Sequence, residues 1–567
     1  MLYRRFVTDE RGVASIIGVM LMILGLGLAV TVIDVGHLYL AKRRLQAAVD
    51  AAALAGDGDP TNASALVAKI LTRNGYDATA TVETGQYTAD PSVPETGRFV
   101  PGAAGVGNAV RVTKTISSPE FFAGVLGMDT SADIQATATA ARFPAVSFSV
   151  GTGLASLDAG MLNQLLGALL GTKLSLSLVN YQALVGANVD ALTFLNALAT
   201  QVNLTAGSTY GDLANANVSV GQLIAALQAA VNIQSGGNAG SDVNATLSAL
   251  NLLSVQVPSG VGALVNQLVN VVLWQKRQIG SVIQQQPGQL NLNVFDLIDA
   301  MVRVYGAGHL IDLGAAVNLP IVGTGVSAKL AVGAPMTSIG LSPVGTTIGT
   351  SQVRLALNVT AANISIPGIA TVAIVVPVYL QIASGQATAT AIPCTQGGTM
   401  AVLSPQAQAV TAQIGNVSDA DLANFGAIPR INPATIVNLS LLGIPVGITA
   451  SAGVTVAAGP QTDLNFTQAD IDAGTVKTVA GSDAGHVLGS LVNNLTLNIN
   501  LPLGILSNLV NVLLGGVVLP LVQSVVAMLL SALDPVVDLL LRILGLRLGS
   551  IDVVAHGVSC GVPTLVH

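Results

Sequence analysis

Side chains able to do chemistry are sparse in this 567-residue chain, and their spacing says what they are not. The five histidines, His37, His309, His486, His556 and His567, are scattered, and none stands at metal-ligand spacing from another. There is no His-Glu-x-x-His helix, no Gly-x-Ser-x-Gly turn and no phosphate-binding P-loop, the patterns that place a reacting group in their respective enzymes. The last glutamate is Glu120, so a general acid/base pair beyond it has to be two aspartates. Asp296 and Asp299 have the three-residue spacing that sets two carboxylates on one helical face, and a solvated face is the expectation for them. Gly323 to Ala328, GTGVSA, imitates a dinucleotide-binding glycine turn. It lacks a following helix pattern and an acid about twenty residues on, so a plain turn is expected. Two cysteines, Cys394 and Cys560, are too few for a four-ligand zinc site. Outside the cytoplasm they are either one disulfide closing a long loop or two buried thiols. These residues imply no catalytic group, cofactor, metal or small-molecule substrate.

Composition narrows the setting in which such residues are held. Hydrophobic residues make up 51% of the chain and charged residues only 9%, against about 25% charged in ordinary globular proteins. Solubility then rests on Asn, Gln, Ser and Thr, a balance that suits a secreted or surface protein. The net charge of −7 is mild and spread out, and no basic patch would draw nucleic acid.

The elements begin with an apolar run. Val13 to Ile33 is 21 residues without a charge, enough for one bilayer crossing at about 20 residues and longer than the ~7–15 residues of a signal-peptide core. The Ala53–Ala55 triplet resembles a cleavage site but lies some twenty residues too far on, so a retained anchor is expected. Arg4, Arg5 and Arg11 precede the run and Lys42, Arg43 and Arg44 follow it. The first cluster is the closer, which favours a cytoplasmic N-terminus. Within the span, Ala14, Gly18, Gly25 and Ala29 share one face. They are either a contact for another membrane helix or the small residues common in spans. Asp34, at the boundary, is either a contact to a partner helix or, more simply, the first residue to reach water.

A longer ordered pattern surrounds this span. Arg11-Gly12 precedes it, Asp34-x-Gly36-x-x-Tyr39 closes it, and Lys42-Arg43-Arg44-Leu45-Gln46-x-Ala48 and Asp50-Ala51-Ala52-Ala53-Leu54-Ala55 follow. Asp9 to Asp57 thus resembles the N-terminal module of the TadE/TadG-like proteins of Flp (tight-adherence) pilus systems. Ala109 to Ala140 resembles the way that module closes, with a strand, a short Phe-rich helix and a final strand. The resemblance covers about the first 145 residues. Pilin-like members carry a Gly followed five residues later by Glu for prepilin-peptidase processing. Here Ile17 and Ile23 stand five after Gly12 and Gly18, so the span is expected to stay uncleaved. Longer members often carry a von Willebrand-type domain with an Asp-x-Ser-x-Ser metal motif, which no Asp here begins.

Beyond Phe148 the period alternates. Leu154, Leu157, Met161, Leu165 and Leu169 predict an amphipathic helix. Ser219 with Gln222 predicts a capping box, and Val294 to Gly306 predicts a helix ending at glycine. Val353, Leu355, Leu357 and Val359 alternate as in a half-buried strand. Val372 to Cys394 also reads as extended, with Pro377 at an edge or bulge, and Val446 to Gly459 as strand. Val487 to Leu533 carries no charge, but Asn508, Asn511, Gln523, Ser524 and Ser531 interrupt it and Gly515, Gly516 and Pro520 break it. Amphipathic helices are favoured there over a second span. Asp534-Pro535 predicts a fresh helix start, with Asp538 and Arg542 paired on its polar face.

The expected fold class is α+β. A cytoplasmic tail (1–12) and a transmembrane helix (13–33) lead into a TadG-like module (34–145) and a low-charge region outside the cytoplasm (146–567). The resemblance implies an anchored, non-enzymatic component of Flp (Tad) pilus assembly. Its partners would be the inner membrane and pilin-like or assembly-machinery helices, with no nucleic acid, and its bulk would be periplasmic. The alternative is an anchored envelope or surface-binding protein that has kept only the anchor module.

Overall fold

The structure, a computed structural model, describes residues 11–566 apart from 89–92, 103–106, 123–128, 152–158, 206, 237–239, 258–261, 272–273, 281–289, 308, 318–323, 334–336, 338, 367–369, 395–397, 442–443, 481–486, 501–515, 517 and 544–548. The chain divides into two compact units, Met1–Pro144 with Cys560–His567, and Ala145–Ser559.

The first unit is built on α1 (Arg11–Gly58), a helix of 48 residues, about 72 Å long at ~1.5 Å per residue. Its second half is rich in alanine, the best helix former. Leu45, Ala48, Val49, Ala52 and Ala53 form a buried stripe along it. Small side chains let this stripe lie close on α2 (Ala63–Arg73), which contributes Val67 and Leu71. The same stripe covers a sheet of β1 (Thr81–Tyr87), β2 (Phe99–Pro101), β3 (Ala109–Pro119) and β4 (Ser131–Ala141). The order is β2-β1-β3-β4, and a last strand, Thr564–Val566, is added beside β4; all neighbours are antiparallel. β3 and β4 pair without a bulge from Ala109 opposite Ala141 to Pro119 opposite Ser131. Alternation turns Val110, Val112, Ile134, Ala136, Ala138 and Ala140 toward α1.

The second unit opens with β5 (Ala145–Val150) and a helical stretch: α3 (Ala159–Leu170), α4 (Leu178–Gly186), α5 (Ala191–Gln201), α6 (Val220–Gln234), α7 (Ser241–Gln256) and α8 (Val294–Gly306). Ser219 and Gln222 form the predicted capping box at α6, and α8 has the predicted bounds. On α3 the buried positions include Leu162, Leu166, Leu169 and Leu170. Of the predicted stripe, Leu154, Leu157 and the side chains of Met161 and Leu165 lie outside the described residues. A local device recurs in this stretch: a three-residue strand whose last residue caps the next helix. Asn188–Asp190 leads into α5, Asn217–Ser219 into α6 and Asn291–Asn293 into α8. Asp190, Ser219 and Asn293 each accept from an amide of the first turn, which satisfies donors the helix leaves open.

An eight-stranded sheet follows, of β6 (Leu310–Val317), β7 (Thr324–Val332), β8 (Val353–Ile366), β9 (Ala370–Ile382), β10 (Val410–Ile414), β11 (Ala434–Leu441), β12 (Ile444–Val456) and β13 (Thr496–Asn500). Its order is β6-β7-β8-β9-β10-β12-β11, with β13 on β12, and every pair is antiparallel. The expectation of a turn at GTGVSA is corrected: from Thr324 on it is strand β7. Val326 and Ala328 are buried there opposite Val359 and Leu357, and that burial outweighs the flexibility of glycine. Pro377 sits inside β9 at a handover, where β9 leaves β11 at Ile374 and joins β10 at Val378. Its carbonyl accepts from Gly415 on that side, so its missing N–H falls in the gap between the two partners.

Two helices, α9 (Val487–Asn493) and α10 (Leu519–Ile543), share a hydrophobic core with this sheet. Among the described residues Leu519–Asp538 is long and apolar enough to cross a membrane. Val522, Val526, Leu529, Leu530, Leu533 and Val537 along it are nevertheless buried in the unit's own core. The predicted break at Asp534-Pro535 is corrected: α10 runs through Pro535 unbroken. Burial of Val537, Leu540 and Leu541 on the stripe begun by Val522 favours continuation over the N–H that proline lacks. Arg542's side chain lies outside the described residues. Finally β14 (Ser550–Ser559) pairs antiparallel with β5, and Ser559 stands opposite Ala145. Helices and strands run in separate stretches, and the fold class is α+β.

Candidate functional site

Three places in the described structure bear on function. The first is α1 where it leaves the sheet. Ile16, Ile17, Val19, Met20, Leu21 and Met22 are all more than half exposed, so this stretch of the helix is apolar on every side and left open by the described residues. Helices of that kind belong in a core or a bilayer. Gly18 meets nothing within 4 Å of where a Cβ would stand, and the side chains of Ala14, Gly25 and Ala29 lie outside the described residues.

Asp34 ends this bare half. It is 7% exposed, and its two carboxylate oxygens accept from the amides of Phe121 and Phe122 at 3.0 Å each. Neither a partner helix nor water is needed to satisfy it; the turn after β3 does so. His37 lies edge-on to Phe121 with ring centroids 5.0 Å apart. The remainder of the Phe-rich segment, 123–128, lies outside the described residues.

One turn further on, Lys42 donates to the carbonyl of Gln135, and Gln46 donates to that of Thr137 at 3.0 Å. Those carbonyls belong to the part of β4 beyond its pairing with Thr564–Val566, so α1 side chains occupy the edge that the last strand leaves open. Of the alanines in this half, Ala48 and Ala52 are buried while Ala47 and Ala51 face out. Past the end of the stripe, Asp57 is fully covered and stands 3.6 Å from Arg142 Nε. Burial pushes its carboxyl up to about 7 in spite of the opposing guanidinium.

The second place is a buried polar cluster of α8, β5 and β14. The expectation of a solvated face for Asp296 and Asp299 is corrected: they are 5% and 4% exposed, and Arg303 is buried beside them. Arg303 pairs with Asp299. Burial pushes the Asp299 carboxyl up to about 6, with Arg303 opposing and Asp296 adding to the rise. His556 Nε2 is 3.2 Å from Asp296 Oδ2 and 2.7 Å from Ser149 Oγ. Serine, histidine and aspartate meet here, but on the same ring nitrogen, whereas a nucleophile-activating histidine uses one nitrogen for each partner. Ser149 is also buried. The cluster can tie two strands to a helix and cannot relay a proton from serine to aspartate. Its signal in the sequence was weak, because Ser149 and His556 lie 407 residues apart.

The third is an open groove of about 530 Å³ near α4, α6 and α7, lined by Gln182, Asn188, Gln234, Thr246 and the ionisable Asp242 among aliphatic side chains. Among the described residues no three His, Cys, Asp or Glu side chains are grouped as metal ligands would be.

Comparison with known families agrees with the first of these places. Residues 158–303, the helical stretch from α3 to α8, match a domain of unknown function, DUF8293. No curated protein and no solved structure matches the chain. Residues 12–66 match a family model for Flp pilus-assembly TadE/G-like proteins, and residues 50–140 match one for Tad-like Flp pilus assembly. Residues 12–140 therefore carry the N-terminal module of the TadE/TadG-like Flp pilus-assembly family.

Proposed function

We propose that this protein is a membrane-anchored, non-enzymatic structural component of Flp (Tad) pilus assembly. Residues 13–33 cross the bacterial inner membrane once, residues 1–12 face the cytoplasm, and the remainder lies in the periplasm. The observation that carries this reading is the two-part character of α1: one continuous helix, exposed and apolar over Ile16–Met22, then buried by a sheet in a module of the Tad type. Ala14, Gly18, Gly25 and Ala29 offer a face on which pilin-like or machinery helices can approach closely. The buried Asp34, bonded inside the module, then marks where membrane helix becomes folded domain.

Two experiments test this. Alkaline phosphatase joined after Gly56 should be active, as it is only outside the cytoplasm; activity of a cytoplasm-restricted reporter at the same point would overturn the topology. The full-length protein in mild detergent should co-purify with pilus-assembly membrane proteins, and Gly18→Ile with Gly25→Ile should weaken that recovery. Recovery unchanged by both substitutions would remove the helix-packing role.

A further inference from the structure

The apolar surface of α1 continues past the point where its packing begins. Asp34 opens the stripe that faces the sheet, yet Val35, Tyr39 and Leu40 on other sides of the helix are each more than half exposed. Phe121, held at Asp34 by its own amide, is 61% exposed as well. Arg43 and Arg44, in the next turn, are exposed. Val32, Gly36, Tyr39 and Arg43 follow steps of four, three and four, so one outward stripe passes from apolar to basic within three turns.

Length supports the same boundary. Val13 to Leu40 is 28 residues, about 42 Å of helix. That matches the ~40–45 Å of hydrocarbon plus both headgroup layers better than the ~30 Å of hydrocarbon alone. Apart from the hydroxyls of Ser15, Thr31 and Tyr39, the polar side chains that this depth would submerge are Asp34 and His37. Asp34 is already satisfied by two backbone amides, which removes the main cost of taking a carboxylate near lipid.

We propose that the module is seated in the headgroup layer of the bilayer that α1 enters. Val35 lies at the top of the acyl chains, Tyr39, Leu40 and Phe121 lie in the headgroup layer, and Arg43 and Arg44 at its outer edge pair with the phosphates of anionic phospholipid. This rests on the anchored reading above and adds the lipid partner and the depth. Aromatic side chains favour that level of a membrane, and exposed basic residues next to a span attract anionic headgroups.

The test uses the full chain carrying Tyr39→Trp in a Trp274→Phe background, reconstituted in vesicles of equal parts phosphatidylcholine and phosphatidylglycerol. Emission from position 39 should be blue-shifted, quenched by lipid brominated near the headgroup end of its chains, and protected from acrylamide. Energy transfer to dansyl-phosphatidylglycerol should exceed transfer to dansyl-phosphatidylcholine by about twofold. In Arg43→Gln with Arg44→Gln the two should become equal. Acrylamide quenching without bromolipid quenching, in protein that resists alkaline carbonate extraction, would show an anchored module standing clear of the lipid and overturn the proposal. Equal transfer to both probes in the parent protein would overturn the anionic contact. Extraction by carbonate, with a Val19→Trp probe open to acrylamide, would instead sink the anchored reading and take this proposal with it.

Discussion

Arg354 shows what a single side chain does in this low-charge interior. It lies in β8 at 2% exposure and stacks 4.7 Å above the Phe425 ring. Its guanidinium donates to the carbonyls of Asp421, Asn424 and Ala427 at 2.7 to 2.9 Å. Removing it leaves three carbonyls without that donor and a gap in the core where the arginine stood, so Arg354→Ala should cost about 3 kcal/mol in urea unfolding. Arg354→Lys should recover only part, since an ammonium lacks the planar fork; a lysine variant as stable as the parent would contradict this account. Asp57 supplies a pH dependence. Its carboxyl rises from the ordinary 3.8 to about 7 on burial. Between those values the folded chain holds a proton that the unfolded chain has released. Stability therefore falls as pH rises through that window and levels off above it. Asp57→Asn should narrow the difference in unfolding temperature between about pH 5 and about pH 8, and an unchanged difference would rule Asp57 out as the source.

At the scale of elements, α1 is two helices in one. Leu45→Ala, in the buried half, should destabilise the fold by about 2–4 kcal/mol. Leu21→Ala, in the bare half, should leave unfolding in detergent within about 0.5 kcal/mol of the parent. Equal losses at both sites would mean that the bare half is packed by the chain itself. The continuity of this helix was legible, because an unbroken apolar run joins an alanine-rich one with no proline between them. The strand at Val353–Val359 and the cap at Ser219 were legible for similar reasons of period and spacing. Asp296 and Asp299 were not. Three-residue spacing is the same for a wet face and a buried one, and the partners that decide between them, Arg303 apart, come from β5 and β14. Proline in α10 misled for a related reason: local preference at Asp534-Pro535 is outweighed by a stripe of core contacts that only the folded sheet provides. The recurring strand-and-cap device of Asp190, Ser219 and Asn293 was readable in principle, since Asn-x-Asp, Asn-x-Ser and Asn-x-Asn each precede an apolar helix.

For the whole molecule, the chain path matters more than any one contact. The second unit is an insertion: the chain leaves the first unit's sheet after β4 and returns to it with Thr564–Val566. Ala145 and Ser559, the ends of the insertion, are paired neighbours, which makes the excursion compatible with an intact module. Oxidised protein should yield one peptide pair containing Cys394 and Cys560 in non-reducing peptide mapping. Reduction should cost about 2–5 kcal/mol of stability, and two unlinked thiols in freshly purified protein would refute the bond. The insertion also sets a timetable for synthesis. Thr564 and its partner Ala141 are 423 residues apart, so at ~5–20 residues per second the ribosome needs roughly 20–80 s between making one and making the other. Throughout that interval α1 is already made, while β4 waits with part of its edge unpaired. The N-terminal module is therefore begun first and finished last.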